Sequence, residues 1–377
     1  MAIFHPIFIF AFVLIIIASY LEQSQPIKNK KGLIAFIALI LIIAAGGRTD
    51  VGADFPIYRQ LYQTAFPLYT NYGDVWDKMT FQPNSMEIEW LFVLVNKILF
   101  DMGLPFYYVT FFVAIVSISL QFDTFYKYSA LPMFSILFYF MPSFFFSESG
   151  QMRQGLGIAV CIFSLRYIIK RDLWKFLFCM FIALGFHKSA IVFIPAYWLA
   201  LLPFNASRWT TLLVISVLLS PFEVYTLFGN LFSSLTPQDV SNAYTGYLND
   251  RYYGQDIETG KNDVIKLIIV IIVLLYDKEA EKKIPYYEYF RNLAFFGYCL
   301  FYILRGNAIF ATRLPGVYVV IMGYFVLPGI IASVKVETRR LLQVGFTVYF
   351  ILLSMVFMNV NGRKGRFTSD TYDNVLW

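Results

Sequence analysis

Apolar runs of about 14–20 residues, separated by polar connections, recur along almost the whole chain. They fall near 3–21, 32–45, 105–122, 131–146, 152–169, 173–186, 189–204, 208–220, 264–276, 290–304, 313–331 and 340–358. A helix that crosses the hydrocarbon of a bilayer needs around 20 residues, so the shorter runs must borrow Tyr, Trp or Ser at their ends. Such a series fits an all-α polytopic membrane protein of about twelve transmembrane helices. Composition agrees, because only 14% of the 377 residues are charged, where a soluble domain carries roughly 25%. The chain reads as a single integral membrane domain over 1–377.

The polar connections then orient the molecule. The net charge of +6 resides mostly in short loops between apolar runs. That is the pattern of the positive-inside rule, not of a nucleic-acid patch. The segment 86–101, MEIEWLFVLVNKILFD, is apolar but interrupted by Glu87, Glu89, Asn96 and Lys97. Counted as a crossing it inverts several later loops, so it reads as an interfacial or re-entrant helix. The loops at 22–31 (with Lys28, Lys30 and Lys31), 123–130, 166–175, 205–208, 277–289 and 332–340 then share the cytoplasmic side. Both termini fall outside, and only the basic stretch Asn361–Arg366 fits poorly there. The two long connections, 46–104 and 221–263, are external. Long ordered loops in a compact protein usually bind or gate something. The run Ile3–Tyr20 lacks a basic leader and a small-residue cleavage site, which makes it a retained first helix. Cys161, Cys179 and Cys299 lie inside apolar runs without CxxC spacing and read as inert buried thiols.

Four polar clusters sit at predicted external membrane edges: Arg48, Asp50, Asp54, Tyr58 and Arg59; Glu148, Gln151, Arg153 and Gln154; His187, Lys188 and Ser189; and Arg305, Asn307, Arg313 and Tyr318. Ionisable groups at a membrane edge are costly, about 2.5–3.5 kcal/mol for an Arg at mid-bilayer, and mark a functional site by default. Each also has a plainer reading. Asp54, before Phe55-Pro56, suits an N-cap. Glu148 and Arg153 can pair with each other, His187 can rest on a backbone carbonyl, and Arg305 and Arg313 can reach to headgroups. Zinc-hydrolase spacing, a Walker loop and a GxSxG elbow are all missing from the sequence. Arginine pairs match phosphate oxygens with bidentate geometry, and a lipid diphosphate is the membrane-resident ligand that would need several of them.

At these positions the chain resembles the EpsG-like and Wzy-like family of bacterial polysaccharide polymerases. The likeness runs in order through Arg48 with Val51-Gly52-Ala53-Asp54 and Tyr58, Arg153-Gln154 opening a helix, His187-Lys188-Ser189 closing one, and Ala311-Thr312-Arg313 with Tyr318. An aromatic segment near Tyr372–Trp377 is a weaker counterpart, and Lys188 departs from the family pattern. The resemblance implies a GT-C-like glycosyltransferase of the bacterial inner membrane. It would join undecaprenyl-diphosphate-linked oligosaccharides into O-antigen or exopolysaccharide at the periplasmic or outer leaflet, alongside a chain-length regulator.

On that footing Arg153 and Arg313, then Arg48 and Arg305, are expected to bind diphosphate. His187 is the expected base because its intrinsic pKa lies nearest neutrality, with Asp54 and Glu148 as rivals. Tyr58, Gln154, Glu89 and Tyr318 are expected at the sugars, with Trp76 and Trp90 as stacking surfaces. No cofactor is expected, although Asp50 with Asp54 leaves room for a divalent cation. A lipid-linked oligosaccharide flippase and an O-antigen ligase are the rival functions.

Overall fold

The computed structural model describes residues 5–24, 27–52, 54–65, 71–80, 82, 88–148, 150–222, 257, 260–364 and 372–376. These residues are nearly all helical. Pro6–Ser24, Tyr107–Tyr128, Met152–Ile169 and Ala308–Ser333 are each long and apolar enough to cross a membrane. Shorter apolar helices, among them Leu173–Phe186 and Lys188–Leu199, pack between them. Large apolar side chains face outward along several helices, including Phe10, Leu39, Leu267 and Leu352, each about half exposed. A soluble surface does not carry such a belt, whereas lipid covers it without cost.

Contacts at the helix ends sort the bundle into two faces. At one face the Tyr372 hydroxyl donates to the Ala44 carbonyl at 2.6 Å, and its ring lies 4.8 Å from His5 and 4.9 Å from Phe8. The start of Pro6–Ser24, the end of Lys30–Gly46 and the C-terminal tail therefore meet there. Tyr107–Tyr128 begins at the same face, where the Thr110 hydroxyl donates to the Gly46 carbonyl. At the other face Glu22 pairs with Lys30 at 3.0 Å and accepts the Met133 N–H at 2.9 Å.

Two features depart from the expected picture. A two-residue antiparallel pairing joins Arg48–Thr49 to Asp373–Asn374, a trace of sheet among described residues that are otherwise mostly helical. Gly47 permits it, because a Cβ there would collide with the Asn374 side chain. The helix expected near 86–101 begins at Trp90 and ends at Asp101, and 83–87, including Glu87, lie outside the described residues. Its 12 residues reach about 18 Å, short of the roughly 30 Å of hydrocarbon. Both of its ends stay at the first face: Glu89 touches Arg153, and Leu104, just past its end, accepts the Tyr62 hydroxyl at 2.5 Å. The long connection after Gly46 thus folds as short helices, Phe55–Gln60, Tyr72–Met79 and Trp90–Asp101, over one end of the bundle. Of the second long connection, 223–256 and 258–259 lie outside the described residues.

The most buried helices are Met152–Ile169 and Ala308–Ser333, 72% buried along their apolar stretches against 28% for Pro6–Ser24. They form the centre, and each opens at the first face with polar residues. Small residues let the centre close up. A Cβ on Gly157 would meet the Cβ of His187 at 3.3 Å, so the helix bearing Arg153 packs directly on the backbone turn at His187.

Candidate active site

Arg153 is the second residue of Met152–Ile169 and projects at the first face. Its Nε donates to the Tyr58 hydroxyl at 2.8 Å, and one terminal nitrogen donates to Glu89 Oε2 at 2.5 Å. The other Glu89 oxygen accepts the Lys188 N–H at 3.1 Å. Glu89 is 5% exposed. Burial alone would raise its pKa, but Arg153, His187 and the Lys188 N–H outweigh that and hold the carboxylate below its usual range. One buried carboxylate thus ties together the interfacial helix, the central helix and the turn after Leu173–Phe186.

Asp54 precedes Phe55–Gln60 and makes no side-chain capping bond. It is half-buried. Burial raises its pKa, and the charges of Arg153 and Arg313 oppose that rise without cancelling it. Its carboxylate therefore lies in the field of two guanidiniums without a cap to hold it. The N-cap reading of Asp54 finds no support, since its backbone is helical (φ -95°, ψ -6°) where a cap is extended, and its side chain makes no capping bond.

Arg313 ends the short helix Ala308–Arg313, which Asn307 caps by accepting the Ile309 and Phe310 N–H groups at 3.1 Å each. Pro315 cannot donate to the preceding turn, so the helix restarts at Gly316. The break leaves Arg313 at a corner, where its carbonyl accepts Gln154 Nε2 at 3.3 Å. Gln154 is 7% exposed, and its Oε1 has no hydrogen-bond partner among the described residues.

His187, expected as the base, is placed differently from that role. Its Nδ1 accepts the Ser189 N–H at 3.2 Å and lies 2.7 Å from the Ser189 hydroxyl. An accepting Nδ1 leaves the proton of a neutral ring on Nε2. Burial, reinforced by Arg153, Arg313 and Lys188 and opposed by Glu89, pushes the His187 pKa down to about 4. At neutral pH the ring is an uncharged donor.

The structure brings together Asp54, Tyr58, Glu89, Arg153, His187 and Arg313, with Gln154 beside them. Three other expected site residues are elsewhere. Arg48 is 1% exposed, and its guanidinium donates to the carbonyls of Val51, at 3.1 Å, and Ala45. With its charge spent on the turn that carries Asp54, it is an internal brace and not a diphosphate ligand. Arg305 pairs with Asp263 at 3.0 Å and donates to the Ile257 carbonyl at 2.6 Å, which clamps the end of the second long connection. Tyr318 is fully buried, donates to the Val192 carbonyl at 2.7 Å and packs on Phe193, so it faces protein and not sugar. The Glu148 side chain lies outside the described residues. Asp50 is exposed and pairs with Arg59 at 2.8 Å. Trp90 packs on Phe181, while Trp76 is exposed.

Sequence reasoning placed Glu89 at a sugar. Its pairing with Arg153 was not legible, because 64 residues separate the two. Ser189 entered only as a motif letter, and its hold on Nδ1 depends on the turn. Chemically, the cluster offers two guanidiniums for an anion and one open carboxylate that can take a proton.

A family model described as the EpsG family matches residues 31–371. No curated protein and no solved structure matches the chain.

Proposed function

The chain belongs to the EpsG family, a Wzy-like family of polysaccharide polymerases, and from that premise we propose that it is a membrane glycosyltransferase polymerising undecaprenyl-diphosphate-linked oligosaccharides into O-antigen or exopolysaccharide. The observation that carries this reading is the meeting of Arg153, Tyr58, Glu89 and the turn at His187 with the Arg313 corner, which Gln154 ties to the same helix as Arg153. In this reading the helices cross the inner membrane about twelve times, in a GT-C-like arrangement, with the Arg153 cluster at the periplasmic or outer side.

The donor is the growing glycan on its lipid diphosphate, and the acceptor is a sugar hydroxyl of the next lipid-linked unit. The bond between the anomeric carbon and the diphosphate oxygen breaks, and the acceptor oxygen bonds to that carbon. Its proton passes to Asp54. The departing diphosphate gains charge, which Arg153 and Arg313 stabilise from fixed positions. Glu89 and Tyr58 hold Arg153 in place. His187, as a neutral Nε2–H donor, and Gln154 hold sugar or phosphate oxygens. The chemistry needs neither a nucleotide sugar nor a dedicated metal, and a chain-length regulator is the expected partner.

The glycan banding of a deletion strain tests the function. Caps of a single repeat unit support a polymerase. Bare lipid A core would make it a ligase, and intermediate accumulated on the cytoplasmic leaflet a flippase.

A further inference from the structure

At the face opposite the Arg153 cluster, two turns enclose a groove of about 500 Å³ lined by Lys28, Asn29, Lys30, Lys31, Tyr126 and Ser129. One wall is the turn between Pro6–Ser24 and Lys30–Gly46, and the other is the turn that leads into the helix starting at Pro132. Glu22 holds the walls together. Its side chain is 1% exposed, pairs with Lys30 at 3.0 Å and accepts the Met133 N–H at 2.9 Å. Lys30 is thereby neutralised. Asn29 is spent on capping, accepting the Gly32 N–H at 3.0 Å, and Ser129 is 2.6 Å from Ser135. Lys28 and Lys31 are exposed and form no ion pair among the described residues. The groove therefore presents two uncommitted ammonium groups, while the carboxylates of Glu22 and of Asp123, one turn from Tyr126, are already paired.

The positive-inside pattern accounts for lysines in this loop, but it leaves them dispersed in solvent. The fold instead sets them along an open groove. The helix leading to it exposes Leu21 and Tyr20 on its outer surface, 48% and 36% respectively. A water-soluble anion gains nothing from an apolar surface beside its site, whereas a lipid phosphate carries acyl chains that lie along it. We propose that this groove binds the phosphate headgroup of an anionic glycerophospholipid in the leaflet opposite the Arg153 cluster.

The test uses purified full-length protein in neutral detergent. It is titrated separately with dioleoylphosphatidylglycerol, dioleoylphosphatidylcholine and inorganic phosphate, while melting and lipid retention in native mass spectra are followed. Phosphatidylglycerol should raise the melting temperature and remain bound, and the other two should do neither. Lys28→Gln with Lys31→Gln should weaken phosphatidylglycerol binding roughly tenfold or more, since each cation near an anionic headgroup contributes separately. Lys28→Arg with Lys31→Arg should retain binding. Both positions are exposed, so lipid-free melting should match the wild type and show that the fold is intact. Undiminished retention by the Gln variant overturns the proposal, as does an equal response to phosphatidylcholine. An equal response to inorganic phosphate overturns the lipid as the ligand and assigns the groove to free phosphate.

Discussion

The arginine–carboxylate clusters around Arg291 and Arg153 are built on opposite plans. Near the Glu22 face, Arg291 is 2% exposed and donates to both oxygens of Asp277 at 2.9 and 3.0 Å, to Glu281 at 2.9 Å and to the Phe204 carbonyl. Asp277 in turn accepts the Ala206 N–H at 3.3 Å. Two carboxylates close around one guanidinium and join three helices. At the opposite face, Arg153 has one carboxylate, Glu89, while Asp54 stays without a capping bond between two guanidiniums. A closed cluster is completed by folding itself. An open one is completed by a ligand, and its unused capacity is what a transition state can exploit.

The contrast can be broken first at its closed side. Arg291→Ala should strand Asp277 in a buried site and destabilise the protein by roughly 3–5 kcal/mol, read as a lower melting temperature and lower amounts in the membrane. Normal melting would mean that the pair contributes nothing to the fold.

The open side should lose activity beyond any loss of folding. Arg153→Ala should lower polymerisation by roughly 10²–10³-fold, the loss seen when one preorganised donor to a developing charge is removed. The variant also strands Glu89, so polymerisation is compared per amount of protein in the membrane, and Arg153→Lys, which keeps a cation beside Glu89, should lose activity with less loss of protein. Long-chain glycan at wild-type amounts would sink the assignment of Arg153.

Asp54→Asn sharpens the comparison further. Asn caps a helix as well as Asp does, so a capping role would survive the change. A base role would not, and the rate should fall by about 10²-fold or more. Near-normal polymerisation by this variant would leave the proton without its proposed acceptor.

The pH profile carries the next smaller effect. Asp54 has a raised pKa, so its basic form is lost as pH falls through a value above the usual carboxylate range. His187 sits at about 4. Polymerisation in vesicles should therefore fall only in acid and show no inflection near the ordinary histidine value of about 6.5. An inflection there would return the base role to His187.

The smallest effect is expected at the tail. Tyr372→Phe removes the bond to Ala44 at 2.6 Å and should cost about 1 kcal/mol in melting, with polymerisation almost unchanged.

Much of this was legible in the chain itself. The apolar runs required helices, and the Lys/Arg bias separated one set of connections from the other. The interrupted run at 86–101 pointed to a helix that lies across the bundle, because Glu89 and Lys97 resist burial in lipid. The polar groups at predicted external helix ends marked Asp54, Arg153, His187 and Arg313 as one set, but they included Arg48, Arg305, Glu148 and Tyr318 on the same terms. These features depend on local composition and on the cost of charge in hydrocarbon, and both act residue by residue.

Which arginines remain available for a ligand was decided only by tertiary contact. Arg48 and Arg153 look alike in sequence, each a charge where an apolar run meets polar residues. Arg48 turned inward because Gly47 lets the C-terminal tail pack close and leaves the carbonyls of Ala45 and Val51 within its reach. Arg153 stayed at the cluster because Glu89 and Tyr58, each distant in sequence, arrived to hold it. A hydrogen bond depends on direction and on a few tenths of an ångström. No pattern along a single chain encodes those quantities until the helices have packed.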